Sequence, residues 1–233
     1  VERPEIAMGG KETVVNAGLA QFEEVRWAMV EEQIRRRGIV DEAVLRAMRS
    51  VPRHEFVPVE LISRAYEDVP LPIGGRQTIS QPYIVADMTA ALELRGSEKV
   101  LEIGTGCGYQ AAVLGCVSRE VHSMELREEL ATAAGDRLSR LGYVNVRVHC
   151  GDGTLGLPEF APYDAILVAA AAPNVPKPLL EQLADGGRMI APVGEEDEQT
   201  LVYVRRRGND LTFERRETCR FVPLLGRYGW RPV

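Results

Sequence analysis

Three acidic residues and a run of glycines carry the plainest chemistry in this chain. Leu101-Glu102-Ile103-Gly104-Thr105-Gly106-Cys107-Gly108-Tyr109 reads as a buried strand entering a glycine-rich turn that opens a helix. Glycines there allow tight backbone dihedrals and let a ligand approach without side-chain interference. The helix start adds free N–H groups. The spacing is G-x-G-x-G, not the G-x-G-x-x-G of dinucleotide sites. Glu125 closes the next apolar run, in Ser-Met-Glu-Leu. An acidic residue there can accept two hydrogen bonds from ribose hydroxyls. Asp152, in Gly151-Asp152-Gly153, is placed to meet an adenine amino group with Gly153 giving backbone access, although a bare Gly-Asp-Gly is also an ordinary turn. A further segment, Leu71 to Pro82, contains Gln77-Thr78-Ile79-Ser80-Gln81-Pro82. Its glycine and proline breaks predict a structured loop with a short hairpin. Such loops are disproportionately functional because a rigid scaffold aims them. The competing role for Ser80 is to cap the helix beginning near Pro82.

The elements around these residues alternate. Apolar spacing predicts helices over Phe22–Arg37, stopped by Gly38, and over Asp41–Arg49, capped by Asp41. Glu60–Tyr66 reads as a third short helix and Tyr83–Leu94 as a fourth. Strands are predicted at Val100–Ile103, Val121–Met124, Val144–Val148, Ala165–Val168 and Arg188–Pro192. Helices over Gln110–Val117, Glu128–Leu141 and Pro178–Leu183 lie between them. This alternation implies an α/β fold, doubly wound, with a mostly parallel sheet and helices on both faces. Leu201–Arg205 and Leu211–Arg220 flank Gly208-Asn209-Asp210, which predicts an antiparallel C-terminal hairpin. The expected organisation is one domain over 1–233: a loose N-terminal arm at 1–20, a helical extension with the active loop at 21–97, and a Rossmann-like core with the hairpin at 98–226.

Composition excludes some classes. The chain has 233 residues and a formal charge of −6, which argues against wrapping nucleic acid. The runs Arg35–Arg37 and Arg205–Arg207 read as a solvated helix end and a strand edge. Cys107, Cys116, Cys150 and Cys219 form no C-x-x-C pair, so free thiols in a reducing cytoplasm are expected. His54, His122 and His149 are scattered without metal spacing, and no metal is expected. No membrane-spanning stretch or signal peptide is visible, and no membrane association is expected.

The G-x-G-x-G turn with Glu102 before it resembles the cofactor loop of class I methyltransferases, whose cationic sulfonium ligand favours nearby carboxylates. The strand ending in Ala169-Ala170-Ala171-Ala172-Pro173 lacks the Asn- or Asp-Pro-Pro-aromatic motif used on base amines. Its small side chains leave a slim channel for a peptide side chain instead. Gln77 to Pro82, Leu101 to Gln110, Gly151-Asp152-Gly153, Ala170 to Pro173 and Pro192-Val193-Gly194 together resemble the protein-L-isoaspartate O-methyltransferase family. Arg53 to Pro58, Ala65-Tyr66, Leu71 to Gly74 and Arg220 to Leu224 are similar too. The resemblance runs from Phe22 to Gly226. It implies methyl transfer from S-adenosyl-L-methionine to the free carboxylate of L-isoaspartyl residues in damaged proteins and peptides. It implies that Ser80 is the active-site residue and that Thr78, Ser80 and Val222 contact substrate. It also implies that Glu102, Gly104, Thr105, Gly106, Gly108, Glu125, Asp152 and Gly153 contact the cofactor. A monomer is expected. The alternative is a class I methyltransferase acting on RNA or a small molecule.

Overall fold

The computed structural model describes residues 21–231; the arm expected at 1–20 lies outside the described residues. The first helix, α1 (21–28), runs into a wide π-type turn at Met29–Ile34 and a tight 3-10 turn at Arg35–Arg37. The continuous helix expected over Phe22–Arg37 is therefore interrupted. The reason is packing: Met29 and Ile34 are both buried. Residues five apart diverge around an α-helix and share a face only when the turn widens. Gly38, at φ 101°, ends the segment. The next helix, α2 (Glu42–Ser50), is capped by Asp41, whose carboxylate accepts from the N–H groups of Ala43 and Val44 at 2.8 and 3.2 Å. Glu60–Tyr66 does not form an α-helix. Val59–Arg64 is a 3-10 turn that follows Pro58 with no side-chain cap, and so short a segment gains little from α-helical hydrogen bonding.

Strands β1 (Leu71–Gly74) and β2 (Gln77–Ile79) form a separate antiparallel hairpin in which Pro72 faces Thr78. Helix α3 (Pro82–Ala91) follows. The main sheet contains β3 (Lys99–Ile103), β4 (Glu120–Glu125), β5 (Val146–Cys150), β6 (Tyr163–Val168), β7 (Leu183–Gly194), β8 (Gln199–Arg207) and β9 (Asp210–Cys219). Its order is β5-β4-β3-β6-β7-β8-β9. The first five are mutually parallel, and β8 and β9 are antiparallel. Helices α4 (Tyr109–Val117), α5 (Glu128–Arg140) and α6 (Lys177–Glu181) supply the crossovers. One face buries Val100, Leu114, Leu138, Leu45 and Val85 against the N-terminal helices, α4 and α5. The other buries Leu101, Ile166 and Met189 against Leu179 of α6.

Two strands differ from expectation. Val144 is 91% exposed and belongs to the turn that closes α5. There Gly142 takes φ 83° and the Tyr143 N–H bonds back to the Leu138 carbonyl. Strand β5 consequently starts at Val146. Strand β7 starts at Leu183, before Gly186-Gly187, because the break at Gly186 (φ 75°) is absorbed by a register shift against β6. At the far edge Arg207 pairs with Asp210 around a two-residue turn, as the glycine there predicts. The chain leaves β5 and re-enters the sheet on the other side of β3. Ligands bind outside the carboxyl ends of strands at such a switch point.

Candidate active site

The turn after β3 is stitched to the end of β4. The N–H groups of Gly104 and Thr105 both donate to the Met124 carbonyl, at 2.8 and 3.2 Å. Gly104, Gly106 and Gly108 take φ values of 96°, 53° and 91°, which a Cβ disfavours. Glu125 sits at the end of β4 and is 8% exposed. Its carboxylate accepts from the N–H groups of Gly106 at 2.9 Å and Arg127 at 3.1 Å. Gly153 approaches β3 so closely that a Cβ would lie 2.6 Å from Cγ2 of Ile103. Gly104, Gly106, Glu125 and Gly153 line a cleft of about 610 Å³, open mouth included, which Ala169 and Leu224 complete.

Glu102 and Asp152 stand apart from that lining. Glu102 is fully buried beneath the turn. Ser123 Oγ donates to one of its oxygens, the other has no partner among the described residues, and Ser123 shares a 2.5 Å hydrogen bond with the Thr105 hydroxyl. Burial pushes the Glu102 carboxyl up to about 8, so near neutral pH it is largely an uncharged acid under the loop. Thr105 is turned toward this same buried chain. Asp152 has both oxygens engaged. One accepts from the Thr154 N–H and hydroxyl at 2.9 and 2.6 Å, the other from the Arg227 N–H at 2.8 Å. An adenine contact at Asp152 has to coexist with those bonds. Its neighbour Gly153 does line the cleft.

A second depression, about 910 Å³ with its mouth, lies beside the first. Ser80, Gln81, Arg37, Cys219 and Phe221 line it. Its wall is organised by Asp68, whose carboxylate accepts from Gln81 Nε2 at 2.7 Å, the Tyr83 N–H at 3.1 Å and Arg37 Nη1 at 2.8 Å. The Arg37 guanidinium also lies 3.3 Å over the Tyr83 ring. Gln81, not Ser80, is the N-cap residue of α3, with Pro82 at the first helical position. Burial pushes the Cys219 thiol up to about 11, which keeps it protonated and a poor nucleophile. Thr78, Ala169 and Val222 line both depressions. Thr78, Ser80, Gly104 and Gly106 also border a small cavity between the hairpin and the glycine turn. The expected residues Thr78, Ser80, Gly104, Gly106, Glu125, Gly153 and Val222 thus converge, whereas Glu102 and the Thr105 hydroxyl lie underneath and Gly108 packs against Leu138.

Residues 24–229 match the family model described as protein-L-isoaspartate(D-aspartate) O-methyltransferase. The chain belongs to this family. A relative from Pelobacter propionicus, protein-L-isoaspartate O-methyltransferase 2, is 59% identical over 88% of this chain and 92% of its own. One from Syntrophobacter fumaroxidans is 52% identical over 91% of this chain and 99% of its own. A solved protein-L-isoaspartate O-methyltransferase superposes with a TM-score of 0.79 at 32% identity, covering 89% of this chain and 67% of that one. The match extends past Gly226, where the sequence resemblance was expected to end. Residues beyond it are packed onto the site: Tyr228 N–H donates to Thr154 Oγ1 at 3.1 Å and Trp230 Nε1 to the Ala171 carbonyl at 3.1 Å.

Sequence reasoning missed Asp68, the groove position of Arg37 and the role of the Arg227–Trp230 segment. Arg37 was expected at a solvated helix end, and nothing in its spacing signals an aromatic partner from α3. His122 and His149, scattered in sequence, are brought together on adjacent strands, with ring nitrogens 3.0 Å apart. Among the described residues no group of three His, Cys, Asp or Glu is arranged to hold a metal ion.

Proposed function

We propose that this family member transfers a methyl group from S-adenosyl-L-methionine to the free carboxylate of L-isoaspartyl residues in damaged proteins and peptides. The observation that carries this reading is the meeting of a glycine-lined cleft and an open groove at Thr78, Ala169 and Val222. Each has the lining its ligand needs. The positive-φ glycines and the Cβ-intolerant Gly153 form a close backbone cradle. Glu125, held in place by two backbone N–H groups, has lone pairs left for ribose hydroxyls. When bound, S-adenosyl-L-methionine supplies a methyl group already activated by its sulfonium.

The chain's own task is orientation. An isoaspartyl carboxylate has a pKa near about 4 and is ionised at neutral pH, so no general base is required. Alignment of nucleophile and methyl carbon contributes several kcal/mol, on the order of 7–11 at the limit. In this reading Thr78 and Ser80 hold the carboxylate, the backbone around Val222, just past the end of β9, holds the peptide main chain, and the β1–β2 hairpin with Leu224 keeps water out. Donors that gripped the carboxylate too strongly would stabilise it in the ground state and slow the reaction. Hydroxyls suit that requirement better than an arginine fork.

The pairing of Arg37 with Asp68 and of Arg220 with Asp197, with the charge of −6, supports a peptide partner over nucleic acid. No helix among the described residues is long and apolar enough to cross a membrane. Four free thiols support a reducing compartment, and we place the enzyme in the cytoplasm as a monomer that needs no metal. The deciding assay is labelled methyl transfer to paired isoaspartyl and aspartyl peptides of one sequence. Selective labelling of the isoaspartyl peptide is expected; equal labelling would refute the specificity, and no labelling of either would refute the reaction.

A further inference from the structure

Arg53 is a cation in the core with no carboxylate bonded to it among the described residues. It is fully buried, in the 3-10 turn Arg53–Phe56. Its Nε donates to the Ala65 carbonyl at 2.7 Å and its Nη2 to the Ser80 carbonyl at 2.8 Å. Its Cζ lies 4.7 Å from the centre of the Tyr109 ring. Among the described residues Nη1 has no partner, although it is buried. Burying a guanidinium in this way is costly, and a purely packing role at this position would be served by an apolar side chain. A lysine could not span both carbonyls in the same way, because only the guanidinium offers several donors in one rigid plane.

The three partners identify what the cation joins. The Ser80 carbonyl belongs to the loop that carries the substrate-facing hydroxyl. Tyr109 is the first residue of α4, directly after the glycine turn. The Ala65 carbonyl anchors the guanidinium to the helical extension. On the groove side Asp68 holds the next residue, Gln81, by its side chain at 2.7 Å. The Ser80–Gln81 segment is therefore gripped from the core by Arg53 and from the groove by Asp68.

The geometry points to Arg53 as a positioning residue for the methyl transfer: by holding the Ser80 carbonyl while its guanidinium sits over the ring of Tyr109, it sets the direction of the Ser80 side chain relative to the cofactor turn. This inference rests on the function proposed above. It acts through Ser80 and touches no substrate, so its removal changes how often the carboxylate is aligned, not how tightly the cofactor binds.

The test compares wild type with Arg53→Lys and Arg53→Met. The readouts are kcat and KM for an isoaspartyl peptide per mole of cofactor-binding-competent enzyme, cofactor affinity by calorimetry, and amide hydrogen exchange peptide by peptide. Arg53→Met is expected to lower kcat ten- to a hundredfold, with KM and cofactor Kd within about threefold of wild type. Arg53→Lys is expected to fall between the two. Exchange is expected to quicken at residues 78–83 more than elsewhere. If Arg53→Met does not fold, Arg53→Lys decides by the same measures. A kcat within twofold of wild type in the folded variants, or exchange that rises evenly across the chain, would overturn the inference. The exchange arm needs no turnover. If wild type itself fails to methylate the peptide, the functional reading falls while the Arg53 claim about the loop is still judged.

Discussion

The Asp152 carboxylate accepts a 2.8 Å hydrogen bond from the backbone N–H of Arg227, tying the loop after β5 to the C-terminal segment. Gly226 faces the same carboxylate so closely that a Cβ there would sit 2.1 Å from Oδ1. Leu224 and Leu225, just before, line the cofactor cleft. Asp152 thus serves the cleft by holding its wall as well as by any direct contact. Ending the chain at Gly226 removes the Arg227, Tyr228 and Trp230 hydrogen bonds. Each is worth about 0.5–1.5 kcal/mol net, and losing the equivalent of one of them from the cleft wall is expected to weaken cofactor binding roughly two- to twelvefold. Asp152→Ala should lose at least as much. Calorimetry on the two variants separates the roles: equal losses assign Asp152 to the wall, a larger loss in Asp152→Ala adds a ligand contact, and unchanged affinity in both removes the assignment.

By geometry Glu125 is the stronger candidate to contact the cofactor. Its two oxygens hold the Gly106 and Arg127 N–H groups while facing the cleft. Glu125→Ala should weaken cofactor binding by about 1.5–3 kcal/mol, the range for hydrogen bonds to a charged group, and leave peptide KM nearly unchanged. Cofactor affinity within twofold of wild type would contradict the assignment.

Stability should fall on acidification through the stacked pair His122 and His149. Their rings lie 5.2 Å apart, with Phe160 4.2 Å from His122. Burial holds both below the ordinary histidine value. Arg147 pushes in the same direction, and Glu120 opposes it at His122 and Glu159 at His149. The unfolded chain therefore takes up protons first as pH falls through about 6.5, so stability present above that pH is lost below it. Scanning calorimetry at pH 7.5 and 5.5 should show a lower Tm at the acid pH, with roughly 2–4 °C for each kcal/mol lost. His149→Phe keeps the aromatic stack but cannot titrate, and should flatten the pH dependence. An unchanged slope in that variant would rule out the pair as the source.

What was legible in the sequence was local. The glycine turn, the Asp41 cap, the Gly208 hairpin and the Ser80 loop are each specified by residues adjacent in the chain, where dihedral preference and hydrogen-bond reach act over a few positions. Glu125 and Gly153 were legible because strand ends of an alternating fold converge. What escaped depends on distant partners. Arg53 reaches Ser80 across 27 positions and Asp152 reaches Arg227 across 75, and no periodicity encodes such pairs. Glu102 shows the limit from the other side. Its type and place suggested a charged ligand contact, but burial beneath the turn changes its protonation state, and burial depth is a property of the assembled sheet.

Ser80 itself offers the last prediction. Its backbone is fixed by Arg53, the residue borders both the groove and the small cavity beside the glycine turn, and the cap position of α3 belongs to Gln81. A capping role would make Ser80→Ala less stable by about 0.5–2 kcal/mol with full activity. A covalent nucleophile would need a base hydrogen-bonded to it, and among the described residues Glu217, the carboxylate that lines the groove, makes no hydrogen bond to Ser80, while the thiol there is protonated. If the hydroxyl positions the carboxylate, Ser80→Ala should lower kcat roughly ten- to a hundredfold, which corresponds to about 1.4–2.7 kcal/mol, one hydrogen bond to a charged group. Tm should move by less than the capping role requires, and cofactor affinity should not change. Single-turnover kinetics with Tm and calorimetry on the same preparations distinguishes the three. Complete loss of transfer with methylated wild-type enzyme trapped would establish the nucleophile, and undiminished turnover with a lowered Tm would establish the cap. A partial loss at constant Tm is the expected outcome, because the carboxylate reaches the groove already ionised and needs only to be held in line.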